Sequence, residues 1–186
     1  MKFFKHLHTI NKHRFLVIKI CFKLGIGFQG LFHDLSKYSP SEFFTGVKYY
    51  QGNRSPNAIE REIYGYSKAW LHHKGRNKHH FEYWMDINPK TNIYEPCIMP
   101  LKYLKEMFAD RIAACKTYER EKYTNSSPLN YFLKKESNIK MHPITLNALK
   151  SFMVMLEEKG EKETFKYIKN YKEEDYGKSS NSLSDM

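Results

Sequence analysis

The chain has 186 residues, of which 41% are hydrophobic and 27% charged, a composition that suits a folded core and argues against a disordered chain. Its three cysteines form no CxxC pair, which argues against a disulfide framework and a cysteine-type zinc knuckle. The net charge of +11 is concentrated in residues 1–80, where 14 Lys/Arg face 4 Asp/Glu. Such a field attracts phosphates, nucleotides or nucleic acid, although a solvated basic surface would have the same pattern.

The first residues, MKFFKHLHTINKHR, are basic, but histidine, asparagine and lysine interrupt their apolar runs. They therefore lack the apolar region and the cleavage site of a signal peptide. No segment approaches the roughly 18 apolar residues that a membrane-spanning helix needs. We expect a cytoplasmic protein with no membrane partner.

Hydrophobic positions recur at spacings of three and four along most of the chain, which is the period of an amphipathic helix. Three Ser-Pro pairs each place a capping residue before a proline that suits the first helical turn. Glu42 would complete a capping box with Ser39, and Gly25 or Gly27 should end the first helix. The predicted helices cover residues 6–24, 31–37, 40–50, 56–73, 100–118, 128–136, 143–158 and 161–172.

Residues 83–94 are predicted to be irregular, because Pro89 and Pro96 interrupt longer elements. No segment alternates long enough to predict a strand. Residues 173–186 are polar, and we expect them to form a disordered tail. These patterns predict an all-α fold with short connections.

Histidines and aspartates occupy positions that can converge. His13 lies on the apolar stripe of the first helix, where a buried imidazole needs a hydrogen bond or a metal. Adjacent His33 and Asp34, in HDLSK, offer one nitrogen and one oxygen to an ion such as Mn, Fe, Co, Ni or Zn. Asp110 lies on a largely apolar helix face, where a carboxylate is costly unless it is paired or bound to metal. Each residue also has an alternative role. His13 could be a hydrogen-bonded core histidine that binds no metal, and Asp110 could pair with a lysine or arginine of another helix.

The segment LHHKGRNKHHFEYW is unusually rich in histidine. Its four histidines fall within nine residues and are His72, His73, His79 and His80. Imidazoles on both sides of the Gly-Asn turn can close on one ion, although a polar surface loop has a similar composition.

Two nearby cations suit a phosphate. Lys37 follows Asp34 by three residues on the same predicted helix face, where it could also simply pair with that carboxylate. Arg76 offers a bidentate guanidinium.

The order His, His-Asp, histidine cluster, Asp on successive helices resembles the metal ligands of the HD-domain superfamily, over roughly residues 6–115. HDLSK is similar to the HD-x-x-K version in HD-GYP phosphodiesterases, although no GYP triplet follows it. The chain also resembles a family of small, uncharacterised bacterial and phage proteins. This resemblance runs from the segment HLHTINKHR through QGLFHDLSKYSPSEF to LHHKGRNKHHFEYW.

The resemblance implies an HD-domain-like helical bundle with one or two divalent ions. One ion would be held by His13, His33, Asp34 and Asp110, and one or two of the clustered histidines would hold a second. It further implies a metal-dependent phosphohydrolase. We expect it to act on a nucleotide or another phosphate ester, with Lys37 and Arg76, chosen for their own chemistry, neutralising charge on the phosphate.

The predicted organisation is one helical domain over residues 1–172, with a metal-site half at about 1–120 and C-terminal helices at about 121–172. Two alternative functions stay open: an HD-type di-iron oxygenase, and a basic nucleic-acid-binding protein with a structural metal. The sequence leaves the oligomeric state open.

Overall fold

The computed structural model describes residues 2–178, which form nine α-helices and one small antiparallel sheet. The all-α class is therefore confirmed. The helices are α1 Lys2–Lys23, α2 Gly27–Leu31, α3 Pro40–Tyr49, α4 Pro56–Tyr64, α5 Lys68–Lys74, α6 Leu101–Glu119, α7 Ser127–Leu133, α8 Pro143–Asn170 and α9 Glu173–Lys178. The strands are β1 Met85–Ile87 and β2 Tyr94–Pro96. No helix in this range is long and apolar enough to cross a membrane.

Helix α6 lies at the centre of the core, with α1 and α8 against it. Its residues Leu104, Phe108 and Ile112 recur at a spacing of four and are fully buried. Phe108 meets Phe152 of α8 edge to face, with ring centroids 5.9 Å apart. Because both sides of α6 are packed, this helix is a rigid support for the polar residues on its remaining face.

The segment around His33 and Asp34 is not helical. Helix α1 ends before Gly25, as predicted, where the backbone has φ +78°. Helix α2 then ends at Leu31, and a 3₁₀ turn spans Leu35–Tyr38, so the predicted helix over residues 31–37 is wrong. Asp34 adopts the left-handed conformation (φ 55°, ψ 27°), which aspartate tolerates better than most residues and which no helix period predicts.

The predicted helix over residues 56–73 is two helices, α4 and α5. Gly65, at φ 78°, ends α4, and the Ser67 hydroxyl starts α5 by accepting a hydrogen bond from the Trp70 amide at 3.0 Å. The break sets α5 in a new direction, independent of the axis of α4.

The predicted capping box of α3 does not form. Ser39 precedes the helix, but its hydroxyl lies 3.2 Å from that of Ser41 and caps no amide. Glu42 instead turns into the protein and bonds two histidines of α5. The Glu42 carboxylate thus accepts hydrogen bonds from imidazoles in the interior instead of from the exposed backbone amide that the capping box would have used.

Residues 83–94, predicted to be irregular, include a short hairpin. Strands β1 and β2 pair in antiparallel register, with Met85 opposite Pro96 and Ile87 opposite Tyr94. Each strand has only three residues, too few for an alternating pattern to predict. The hairpin joins the histidine-rich segment to α6.

In the C-terminal part, the structure confirms one predicted helix break and corrects the predicted disordered tail. Helix α8 is interrupted at Gly160 (φ 73°, ψ 176°), between the two predicted helices 143–158 and 161–172. The disordered tail is wrong for residues 173–178, which form α9, whereas residues 179–186 lie outside the described part of the chain. The Tyr176 hydroxyl of α9 donates a hydrogen bond to the Met99 carbonyl at 2.8 Å, and its ring is 3% exposed. This buried aromatic ring anchors a segment that its polar composition alone would leave disordered.

Candidate metal centre

Seven imidazole and carboxylate side chains converge where α1, α5 and α6 meet the segment after α2. We call them the ligand cluster: His13 of α1, His33 and Asp34 of the segment after α2, His73 of α5, His79 and His80 of the loop after α5, and Asp110 of α6. All seven were predicted from the sequence as ligand candidates.

The first group of the cluster is the predicted set of His13, His33, Asp34 and Asp110. One ligand atom from each of the four side chains lies within 4.8 Å of the others. The Nε2 atom of His13 is 2.9 Å from Oδ1 of Asp110, and Nε2 of His33 is 3.1 Å from Oδ2 of Asp34. Two nitrogens and two carboxylates can thus face one ion.

The second group shares Asp34 with the first. It joins Asp34 to His73, His79 and His80, again with ligand atoms within 4.8 Å of one another. The Nε2 atoms of His73 and His79 lie 3.2 and 3.4 Å from Oδ1 of Asp34. Since Oδ2 faces the first group, the two oxygens of one carboxylate point to two different ligand sets.

The loop that carries His79 and His80 is held by Asn77. The buried Asn77 amide donates hydrogen bonds to the His73 carbonyl and to the Ser36 hydroxyl, both at 2.8 Å. It therefore ties the loop to α5 and to the 3₁₀ turn after Asp34. The predicted Gly-Asn turn thus brings histidines on its two sides together.

His72 is not part of either group. Its Nδ1 lies 2.6 Å from Oε1 of Glu42, while Oε2 of the same glutamate lies 2.8 Å from Nδ1 of His73. Adjacent residues on a helix point about 100° apart, so only one of the two can face the cluster. His72 instead helps to hold the carboxylate that orients His73.

Two glutamates contact the outer nitrogens of the ligand histidines. Oε1 of Glu106 lies 2.9 Å from Nδ1 of His33 and 3.1 Å from Nδ1 of His79, and Glu42 contacts His73 in the same way. A hydrogen bond at Nδ1 leaves Nε2 to face the centre, which is the usual arrangement of metal-binding histidines. The sequence analysis missed Glu106, although its position one turn before Asp110 is a signal, and assigned Glu42 to a helix cap.

Several buried atoms of the cluster make no regular hydrogen bond and contact mainly one another. Among the described residues these are Nε2 of His13, His33, His79 and His80, and both oxygens of Asp34, which also contacts Lys37. Buried polar atoms normally have regular hydrogen bonds, so a concentration of nitrogens and oxygens without them in one place requires an explanation. A set of nitrogen and oxygen ligands without sulfur suits Mn, Fe, Co, Ni or Zn. The residues present therefore fit a divalent cation in chemistry and in direction.

The charges of the cluster are set by its members. Burial alone would raise the pKa of Asp34, but His33, Lys37 and His73 hold it well below its usual range. The contacts of His13 and His33 with Asp110 likewise outweigh burial and lower the pKa of this carboxyl. These carboxylates also raise the pKa of His33 despite its burial, so without an ion this imidazole holds a proton. Any metal must displace that proton.

Of the two cations predicted to contact phosphate, only Lys37 reaches the cluster. Its ammonium lies 2.6 Å from Oδ2 of Asp34, the residue three positions before it in the chain. Burial lowers the pKa of Lys37, but Asp34 more than reverses this and keeps the side chain charged. Arg76 is exposed at the end of α5 and donates a hydrogen bond to the His72 carbonyl at 3.2 Å. None of its described contacts is with the ligand cluster.

Comparison with known proteins identifies a family. A family model described as "Family of unknown function (DUF5662)" matches residues 2–155, a range that contains the whole ligand cluster and both outer glutamates. No curated protein and no solved structure matches the chain. Because the match covers most of the sequence, the chain belongs to the DUF5662 family, whose function is unknown.

Proposed function

We propose that the chain is a divalent-metal-dependent phosphohydrolase that acts on a nucleotide or another phosphate ester. The proposal is supported above all by Asp34, a fully buried carboxylate whose two oxygens face two groups of imidazoles. An arrangement of this kind is costly in an interior unless cations neutralise it.

The two groups assign the ligands. His13, His33, Asp34 and Asp110 would hold one ion, and Asp34, His73, His79 and His80 would hold a second. Such ions supply Lewis-acid chemistry, in which water is activated at neutral pH and a phosphoryl oxygen is polarised.

The chain's own residues bind and orient the reactants. Glu106 and Glu42 hold the Nδ1 sides of the ligand histidines, which fixes each ring. The Lys37 ammonium beside Asp34 neutralises charge on a phosphate that approaches the cluster. The positive excess of residues 1–80 raises the local concentration of an anionic substrate.

A di-iron oxygenase is the second candidate, because the same imidazoles and carboxylates are good ligands for iron. The two proposals differ in the metal that the protein selects and in the need for dioxygen. Bound iron with the absorption of an oxo-bridged pair would favour the oxygenase.

The test is metal content by mass spectrometry, together with hydrolysis of p-nitrophenyl phosphate and of nucleoside monophosphates. The protein should hold one or two equivalents of metal and hydrolyse at least one of these esters. Asp34→Asn, which keeps the shape and removes the charge, should lose both properties. His8→Gln is the matched control, since His8 is an exposed histidine of α1 that belongs to neither group.

Two results would refute the proposal. One is an unloaded protein that stays metal-free after reconstitution with Mn, Fe, Co, Ni and Zn. The other is Asp34→Asn protein that keeps the wild-type metal content and turnover.

A further inference from the structure

Arg111 follows Asp110 on α6, and its guanidinium is unusual in having no polar partner. Its Nε is buried without a hydrogen bond to any residue of the range 2–178. None of the ion pairs found in that range includes it either. An unpaired buried Nε is costly, whereas Arg111 as a whole is only half-buried, so the other N–H donors of its guanidinium stay accessible to a partner.

The surroundings of Arg111 hold it in place without a described ion pair. Its Cζ lies 5.7 Å from the centre of the Phe132 ring of α7, a cation–π contact that restricts the side chain. Burial lowers the pKa of Arg111, and attraction by Asp110 and Glu82 offsets this only in part. Asp110 is engaged with His13, and Oε2 of Glu82 is itself buried without a partner. The guanidinium is thus positioned by apolar packing, as expected of a group whose polar partner comes from outside the chain.

The position of Arg111 on α6 places it beside the ligand cluster. Asp110 and Arg111 are consecutive residues, so their side chains point about 100° apart around α6. Ala114, one turn after Asp110, points in a direction between the two. Ala114 is small and half-buried, so its side chain adds little bulk next to the Asp110 carboxylate. Lys37 lies on the Asp34 side of this carboxylate, and Arg111 lies on the α7 side.

We propose that Arg111 is a substrate-binding residue, whose guanidinium takes two oxygens of the substrate's phosphate beside the ligand cluster. This inference rests on the proposed function and deepens it, since it assigns to Arg111 the role that the sequence suggested for Arg76. Guanidinium and phosphate match in a bidentate pair, which Lys37, a point charge already paired with Asp34, cannot form.

The experiment measures binding of inorganic phosphate by calorimetry, with metal-loaded and metal-free full-length protein. Arg111→Met removes the charge and keeps most of the apolar stem. Its phosphate affinity should fall at least about tenfold, because a charge-assisted hydrogen-bonded pair is lost. Arg111→Lys, which restores the charge without the planar fork, should recover only part of the affinity.

Two variants serve as comparisons. Arg76→Met tests the residue suggested by the sequence and should bind phosphate within about twofold of wild type, since its guanidinium is exposed at the end of α5. Arg54→Met removes a surface charge that pairs with Glu62 and should do the same.

Wild-type phosphate affinity in Arg111→Met would overturn the inference. If that variant does not fold, unchanged affinity in Arg111→Lys would overturn it equally. Metal content distinguishes this failure from failure of the proposed function. A metal-loaded protein whose phosphate binding ignores Arg111 refutes only the inference. A metal-free protein that still needs Arg111 for phosphate refutes only the hydrolase.

Discussion

Glu106 lies one helical turn before Asp110 on α6, and the two carboxylates face opposite nitrogens of the same imidazole. Oε1 of Glu106 is 2.9 Å from Nδ1 of His33, and Oδ1 of Asp110 is 3.6 Å from Nε2 of His33. A neutral imidazole has one N–H and one lone pair, so once a metal displaces the Nε2 proton, the hydrogen bond from Nδ1 to Glu106 leaves the Nε2 lone pair on the side of Asp110. One helix face therefore supplies both a ligand and the group that orients another ligand.

We expect Glu106→Gln to weaken metal binding about 10- to 100-fold, since the amide is a poorer acceptor for the Nδ1 protons of His33 and His79. The native glutamate is ionised, because the two histidines outweigh burial and lower its pKa to about 2. Competition with a fluorescent chelator measures the change. Glu121→Gln, an exposed glutamate just after α6, is the control. An affinity within twofold of wild type in Glu106→Gln would contradict the assigned role.

Removal of metal should destabilise the protein. An ion present at 100 times its dissociation constant stabilises the folded state by about 2.7 kcal/mol, which corresponds to about 5–10 °C in Tm for a chain of this size. Thermal unfolding in EDTA and after reconstitution measures the difference. In Asp34→Asn the two melting curves should coincide, because the carboxylate shared by both groups is gone. Coincident curves in the wild type would show that the cluster is satisfied without an ion.

The three cysteines should differ sharply in reactivity. Cys97 is exposed, whereas Cys21 and Cys115 are buried. Burial raises the pKa of Cys115 to about 12 and also raises that of Cys21, so neither forms the reactive thiolate at neutral pH. Ellman's reagent should titrate one thiol in the native protein and three in guanidinium chloride. Native Cys97→Ser protein should give none, and rapid reaction of two thiols in the native wild type would contradict the burial.

Acid should destabilise the fold partly through His6. The burial of this imidazole, followed by the charge of Lys37, lowers its pKa from 6.5 to about 4. Phe43 and Tyr50 pack against it, and no acidic group among the described residues shifts its pKa. Between pH 6.5 and 4 the unfolded chain binds a proton there that the folded chain does not, so stability falls as the pH falls through this window.

His6→Gln removes this titration. Urea unfolding at pH 7 and at pH 4.5 should show a smaller pH-dependent loss in the variant than in the wild type, by on the order of 1–2 kcal/mol. His8→Gln, on the exposed side of α1, should retain the wild-type loss. Equal losses in wild type and His6→Gln would show that His6 titrates normally.

The ligand candidates were easier to predict from the sequence than the backbone conformation of the segments that carry them. Histidines and aspartates on apolar faces are informative one at a time, since each is costly when buried alone. His13 and Asp110 are of this kind, and the structure brings them within 2.9 Å. The helix predicted through His33 and Asp34 is wrong: Asp34 adopts the left-handed conformation, its carboxylate contacts His13 of α1 and His73 of α5, and His33 contacts Glu106 of α6. Local periodicity contains no such information.

The two glutamates that the sequence analysis did not connect with the site act through the ligand histidines. Glu42 and Glu106 are common charged residues on helices, where a solvated surface position is the ordinary expectation. Glu42 even satisfied the spacing of a capping box with Ser39, so a local rule assigned it to the wrong partner. Only the arrangement of α3 against α5 shows which groups it contacts.

The region matched by the family ends at residue 155, inside α8, whereas the core continues past it. Phe165 and Ile168 of α8 and Tyr176 of α9 all belong to the same buried cluster as Leu104 and Phe108 of α6. A fragment cut at the edge of the family signature would therefore leave the supporting helix of the ligand cluster uncovered along one side. We therefore expect a chain that extends through α9 to be more stable than one that ends at residue 155, because the later helices complete the buried cluster around α6.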